Sequence, residues 1–155
     1  MRFKVAINGY GRIGQSILRA LYSSPYRSKF SIVAINELAD IQTLTYLTRY
    51  DTTHGRFPYP LRHDHDHLYI GKDKVRVLSQ PSTDSLPWED LGVDLLFECS
   101  GTFTDRDTAE QHLRRGAKRL LFSQPASLDV DATIVYGFNE NELRPEHRIV
   151  SNASF

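Results

Sequence analysis

Phe3-Lys4-Val5-Ala6-Ile7-Asn8-Gly9-Tyr10-Gly11-Arg12-Ile13-Gly14 is the stretch that decides how this chain reads. An apolar run, Phe3 to Ile7, enters a G-x-G-x-x-G turn at Gly9, Gly11 and Gly14. Ile13, Ile17, Leu18 and Leu21 leave it at helical spacing. Strand, glycine turn and helix in that order make a cradle for the pyrophosphate of a dinucleotide. Gly9 permits the tight turn, Gly11 has no side chain to keep the backbone from the phosphates, and Gly14 lets the helix pack close to the strand. The first helical turn points free N–H groups and the positive end of its dipole at the anion. Glycines at this spacing also arise by chance, so the flanking strand and helix carry the reading.

Working outward, a second apolar run from Phe30 to Ile35 ends in Asn36-Glu37, which places Glu37 23 positions after Gly14. Folds of this type put the acid that binds the adenosine ribose hydroxyls near that distance. By itself Glu37 would suit equally well as the cap of the next helix; the glycines before it favour the ribose. The first half therefore reads as strands over 3–7 and 30–36 and helices over 12–23 and 40–49, with Ser23-Ser24-Pro25 closing the first helix. Strands alternating with helices predict an α/β fold built on a doubly wound, mostly parallel sheet.

From Arg56 to Leu78 short runs broken by Gly71 and Asp73 predict a small antiparallel hairpin excursion. Leu86 to Leu91 reads as a short helix with Pro87 in its first turn. Val93 to Phe97 is apolar enough for a central parallel strand. A helix is expected from Thr104-Asp105 to about Arg115, stopped by Gly116. Strands follow near 119–122, 132–136 and 147–151, with a short helix starting at Asn139.

The chain has 155 residues, 19 basic against 19 acidic side chains, and one cysteine. That length fits a single domain, 1–155, with its own core. Balanced charge removes the global field that would draw in nucleic acid or an anionic membrane. One cysteine excludes an internal disulfide framework. No stretch is long and apolar enough to span a bilayer, and the short N-terminal run does not read as a signal peptide. A soluble, cytoplasmic protein is expected.

In a doubly wound sheet, ligands sit beyond the carboxyl ends of the strands. Three such ends stand out: Asn8 to Gly14, Asn36-Glu37, and Glu98-Cys99-Ser100-Gly101. Gly101 would let backbone lie against a cofactor, and Ser100 could donate to a ribose or phosphate oxygen; an ordinary strand-to-helix turn is the alternative. Cys99 has no visible activating partner, with His112 expected to face along its helix, and reads as a small buried residue rather than a reactive thiol. His63, His65 and His67 would lie on one side of an extended chain. Without an evident fourth ligand they read as a solvated hairpin face, and no metal is expected. His54 lies in a polar loop, Asp51 to Phe57, with no paired nucleophile. Ser151 to Phe155 follow a strand, where small polar residues open a helix that often carries a catalytic group.

Together Ala6 to Gly14, Tyr50 to Phe57, Glu98 to Gly101 and Val150 to Ser154 resemble the N-terminal half of the glyceraldehyde-3-phosphate dehydrogenase superfamily over essentially the whole chain. Ile35-Asn36-Glu37-Leu38, with Glu where the glycolytic enzyme usually has Asp, leans toward the erythrose-4-phosphate branch. So do Leu121 to Pro125 and Ala132 to Gly137. The resemblance implies a Rossmann fold, NAD as cofactor and oxidation of a phosphorylated aldose. That aldose would be erythrose 4-phosphate, on the way to pyridoxal phosphate, or alternatively glyceraldehyde 3-phosphate in glycolysis. It implies that Arg12 and Ile13 offer N–H groups to the pyrophosphate and that Glu37 holds the ribose. Ser100 and Gly101 would line the groove, Ser123 would lie near the nicotinamide, and Ser154 would touch substrate. The family is tetrameric, so a homo-oligomer is implied. Two departures stand out. Phe155 occupies the position of the nucleophilic cysteine, and the base histidine and the rest of the catalytic domain have no counterpart, so the chain reads as truncated before that domain and inert, or as a non-catalytic NAD-binding fragment. Pro81 stands where the branch usually has a cofactor-contacting Arg.

Overall fold

The computed structural model describes residues 2–25, 27–51, 55–101, 105–123, 126, 130–134, 141 and 143–152. Strand β1 (Phe3–Asn8) runs into helix α1 (Arg12–Ser23), which is followed by β2 (Phe30–Asn36) and α2 (Ile41–Arg49). A minor hairpin, β3 (Tyr50–Asp51) with β4 (Gly55–Arg56), precedes β5 (Leu61–His63), β6 (His67–Ile70) and β7 (Asp73–Leu78). Then come β8 (Leu95–Glu98), α3 (Arg106–Arg114), β9 (Arg119–Phe122), β10 (Ala132–Ile134) and β11 (Ile149–Asn152).

Among the described residues nine strands form one sheet in the order β10-β11-β9-β8-β1-β2-β7-β6-β5. Every pair from β10 to β7 is parallel, and only β7-β6 and β6-β5 are antiparallel. The chain leaves β1 toward β2 on one side and later returns to β8 on the other. Strand order therefore reverses beside β1, which makes the crevice there the ligand position of such a sheet.

The reversal also sends α1 and α3 to opposite faces, because right-handed crossovers in opposite directions cover opposite sides. Each face has its own core. Ile7, Ile35 and Leu68 pack with Leu18 of α1 and Leu44 of α2. Ala6, Leu96 and Phe122 pack with Trp88 and with Ala109 and Leu113 of α3. β1 serves both, since Ala6 and Ile7 point to opposite faces and are fully buried. Double-sided burial explains the apolar Val5-Ala6-Ile7 run. Each large aliphatic side chain buried this way is worth roughly 1.5–3 kcal/mol.

Helix ends follow local chemistry. Asp40 caps α2 by accepting from the Thr43 N–H at 2.7 Å, and Asp105 caps α3 by accepting from Thr108. α3 stops as expected at Gly116, at φ 115°. The Gly116 N–H donates to Leu113 O and the Ala117 N–H to His112 O, a Schellman pair.

The antiparallel excursion expected over 56–78 is present as β5-β6-β7, and β7 also pairs parallel with β2 through Ala34↔Arg76 to Asn36↔Leu78, which joins the excursion to the central sheet. Alternating side chains look the same in an antiparallel and a parallel strand, so sequence could not separate them. Three other expectations are corrected. Leu86 to Leu91 is one turn rather than a helix; the Leu91 N–H reaches Pro87 O, and Gly92 at φ 64° ends it. The three histidines do not share one side of an extended chain, because a turn at 64–66 separates β5 from β6. His112 does not face along its helix but is fully buried. His54, Thr104, the helix start at Asn139, Val135-Tyr136, Ser154 and Phe155 lie outside the described residues.

Candidate functional site

The carboxyl ends of β1, β2, β7 and β8 enclose a groove of about 440 Å³. Its floor is the glycine turn. Gly9 adopts φ +91°, and a Cβ there would stand 2.5 Å from Ser100 Cα. A Cβ on Gly14 would stand 2.4 Å from Gly9 O, so α1 can sit this close to β1 only with glycine present. Gly11 is the opposite case: a Cβ there would meet nothing within 4 Å. The space in front of it is open toward the groove, as a pyrophosphate lying on the backbone requires. Gly11 is also the N-cap of α1, with no side-chain cap and no acidic residue in the first turn. The helix thus keeps its positive end and first N–H groups for an anion from outside.

Glu37 lines the same groove from the end of β2. Its carboxylate accepts the Tyr10 N–H at 2.8 Å, the Leu38 N–H at 2.8 Å and the Ala39 N–H at 3.1 Å. Capping of α2 falls to Asp40, so the helix-cap alternative for Glu37 does not hold. The bond to Tyr10 ties Glu37 to the glycine turn and sets its carboxylate beside that turn in the groove.

Beneath the groove lies a buried polar layer. Glu98 and His112 are both 0% exposed, and Asn8 and Asn36 are nearly so. Asn8 Nδ2 donates to Glu98 Oε2 at 2.7 Å, and Asn36 Nδ2 donates to Asn8 Oδ1 at 2.7 Å. Burial by itself would raise the Glu98 carboxyl. Hydrogen bonds from the side chains of His112, Ser100 and Asn8 outweigh it and hold Glu98 below its ordinary value. Cys99 sits at the same strand end, and burial pushes its thiol up to about 11. A thiol so rarely ionised is a poor nucleophile, in line with its reading as a small packing residue.

Of the residues singled out by sequence, Asn8, Gly9, Gly11, Asn36, Glu37 and Ser100 all line the groove. Arg12, Ile13 and Gly14 form the first turn of α1 beside it. Gly101, at φ +74°, and Ser123 lie just past the ends of β8 and β9, outside the groove lining. The Ser123 N–H donates to Glu98 O at 3.2 Å. Sequence reasoning missed the wall made by Gln80, Ser82, Thr83 and Leu86, where Pro81 also sits. It missed them because β7 was not seen as a parallel strand; the loop after such a strand necessarily opens at this edge of the sheet.

A doubly wound parallel sheet with a glycine turn, an uncapped helix start and an acid at the second strand end defines a dinucleotide-binding domain. Comparison with known families narrows the class: residues 3–106 match the model described as glyceraldehyde 3-phosphate dehydrogenase, NAD binding domain, and the chain belongs to that family. Its cofactor is NAD, which supplies a hydride acceptor when bound. No helix among the described residues is long and apolar enough to cross a membrane.

Proposed function

We propose that this chain is the NAD-binding half of a dehydrogenase that oxidises the aldehyde of a phosphorylated aldose, with erythrose 4-phosphate as substrate. The observation that carries the cofactor half of this reading is the open space before Gly11 at an uncapped helix start, with Glu37 hydrogen-bonded to the same turn. In this reading Gly9, Gly11 and Gly14 shape the pyrophosphate cradle, and the N–H groups of Arg12 and Ile13 bind it. Glu37 accepts from the ribose hydroxyls, and Asn8 and Asn36 hold the strand ends. Ser100 and Gly101 follow the cofactor toward the nicotinamide, with Ser123 beyond them. Ser154 belongs to the substrate loop. The choice of erythrose 4-phosphate rests on Glu37 and the flanking residues of its motif. The family name favours glyceraldehyde 3-phosphate as the second reading.

Phe155 takes the place of the family's nucleophilic cysteine, and a phenyl ring forms no bond to an aldehyde carbon. The chain by itself therefore binds cofactor without turnover. Titration calorimetry with NAD tests binding; heat-silent mixing at millimolar NAD would overturn the reading. Absorbance of NADH in the presence of NAD and either sugar phosphate tests the chemistry, with a flat trace expected and sustained turnover fatal to it. The cytoplasm is the compartment where such cofactor and substrates meet. Self-association is the corresponding proposal for partners, supported by the exposed Tyr46 ring of α2 and the Tyr50 ring of β3 packed beside it. Light scattering that showed only monomer would remove it.

A further inference from the structure

Two series of hydrogen bonds under the groove run in fixed directions and meet at Glu98. The first starts at Trp88. An indole N–H can only donate, so the 3.1 Å bond from Trp88 Nε1 makes His112 Nδ1 an acceptor. The imidazole proton then sits on Nε2, which donates to Glu98 Oε2 at 2.9 Å. The second series starts at the backbone of Gln80. Its N–H donates to Asn36 Oδ1 at 2.8 Å, and its carbonyl accepts from Asn36 Nδ2 at 2.9 Å. That pair fixes which way the Asn36 amide points. Asn36 Nδ2 must donate to Asn8 Oδ1, and Asn8 Nδ2 in turn donates to Glu98. The Ser100 N–H adds a third donor, on Oε1 at 2.9 Å. With donors already on both oxygens a carboxyl proton would have no acceptor to point at, so the arrangement suits Glu98 as the anion. Among the described residues no lysine or arginine pairs with it, and His112 holds a single proton.

We infer that Glu98 is a positioning residue for the cofactor: as a buried anion it holds Asn8 and the Ser100 N–H together at the adjoining ends of β1 and β8, with Trp88 keeping His112 in the one tautomer that completes the set. Ser100 is the residue against which Gly9 packs, so a displaced Ser100 displaces the glycine turn. Trp88 and His112 are not among the groove-lining residues and act only through Glu98. The inference rests on the reading of this groove as the NAD site.

Glu98→Gln tests it. The amide must present its NH2 either to the Ser100 N–H, which cannot turn, or to Asn8 and His112, whose reversal the Gln80 backbone and Trp88 oppose. A donor then faces a donor, and NAD affinity measured by calorimetry on the folded variant should fall about tenfold or more. A second pair of variants covers a Glu98→Gln chain that does not fold. His112→Gln can still donate to Glu98 and accept from Trp88, and should bind within about threefold of wild type, whereas His112→Leu should weaken binding about tenfold. The third readout is spectroscopic: long-range proton–nitrogen NMR of the wild-type chain should show His112 protonated at Nε2 alone at neutral pH. Wild-type affinity in folded Glu98→Gln, equal binding by the two His112 variants, or a proton on His112 Nδ1 would each overturn the proposal. A wild-type chain that takes up no NAD overturns the site reading and this with it. NAD uptake that Glu98→Gln leaves intact overturns this alone.

Discussion

Glu98, under the groove, and Asp64, in the β5–β6 turn, are each held by several hydrogen bonds, yet the regions around them are built differently. Asp64 Oδ1 accepts the Asp66 and His67 N–H groups at 3.1 and 2.8 Å, and Oδ2 accepts the Tyr69 hydroxyl at 2.7 Å. All its partners lie within five residues, and the group stands in solvent. Glu98 gathers Asn8 from 90 residues away and His112 from 14, with no exposure at all. The Tyr69 hydroxyl, with the turn N–H groups, holds the Asp64 carboxyl well below the usual range, so both carboxylates are ionised. What differs is what fails when the carboxylate is lost. In the turn, water replaces it. Under the groove, donors from β1, α3 and the β8 loop are stranded in a place water does not reach.

The largest expected effect comes from breaking the groove region at its tightest point. Gly9→Ala puts a Cβ where Ser100 backbone stands and holds a non-glycine residue at φ +91°. A loss of about 3 kcal/mol is expected in urea unfolding, together with loss of NAD binding. An unchanged midpoint would mean that the turn and β8 separate easily, and the contrast with the hairpin would dissolve.

Acid distinguishes the two carboxylates next. Glu98 titrates below its ordinary value in the folded chain. Its contribution is therefore fully present above the unfolded value near 4.3 and is lost as pH falls through the folded value. Unfolding midpoints of wild type and Glu98→Gln should differ most at pH 6 and converge as pH drops toward 3. A gap that stayed constant with pH would deny the charge its role. Glu37→Ala comes third. Removing its carboxylate leaves the fold intact, because Asp40 still caps α2, and should weaken NAD about tenfold by calorimetry. Smallest of all, Asp64→Asn should leave NAD affinity unchanged and move the thermal midpoint barely at all at neutral pH. A large loss there would show that the turn is more than a local feature.

Much of this was legible in the chain itself. β1, α1, β2 and α2 fall within a residue or two of where periodicity and turn chemistry put them, because each is specified by neighbours three or four positions away. The glycine turn and the place of Glu37 at the end of β2 were legible for the same reason: both positions follow from spacing along one β-α-β unit. His112 and Trp88 were not. A histidine on a helix and a tryptophan after a proline carry no local sign of a common partner, and that partner, Glu98, lies on a strand which either could have missed. The wall from Gln80 to Leu86 was hidden because pairing, and not pattern, makes β7 a parallel strand.

Sequence by itself determined that this chain forms alternating strands and helices around a phosphate-type glycine turn, with an acid at the second strand end. Those are short-range properties, set by side-chain period, backbone freedom at glycine and capping. Only the tertiary structure decided that β7 completes the groove, that Gly9 is locked against Ser100, and that two series of donors from distant segments of the chain converge on one buried carboxylate. Those outcomes depend on which distant segments exclude water together, and no local run of residues encodes that.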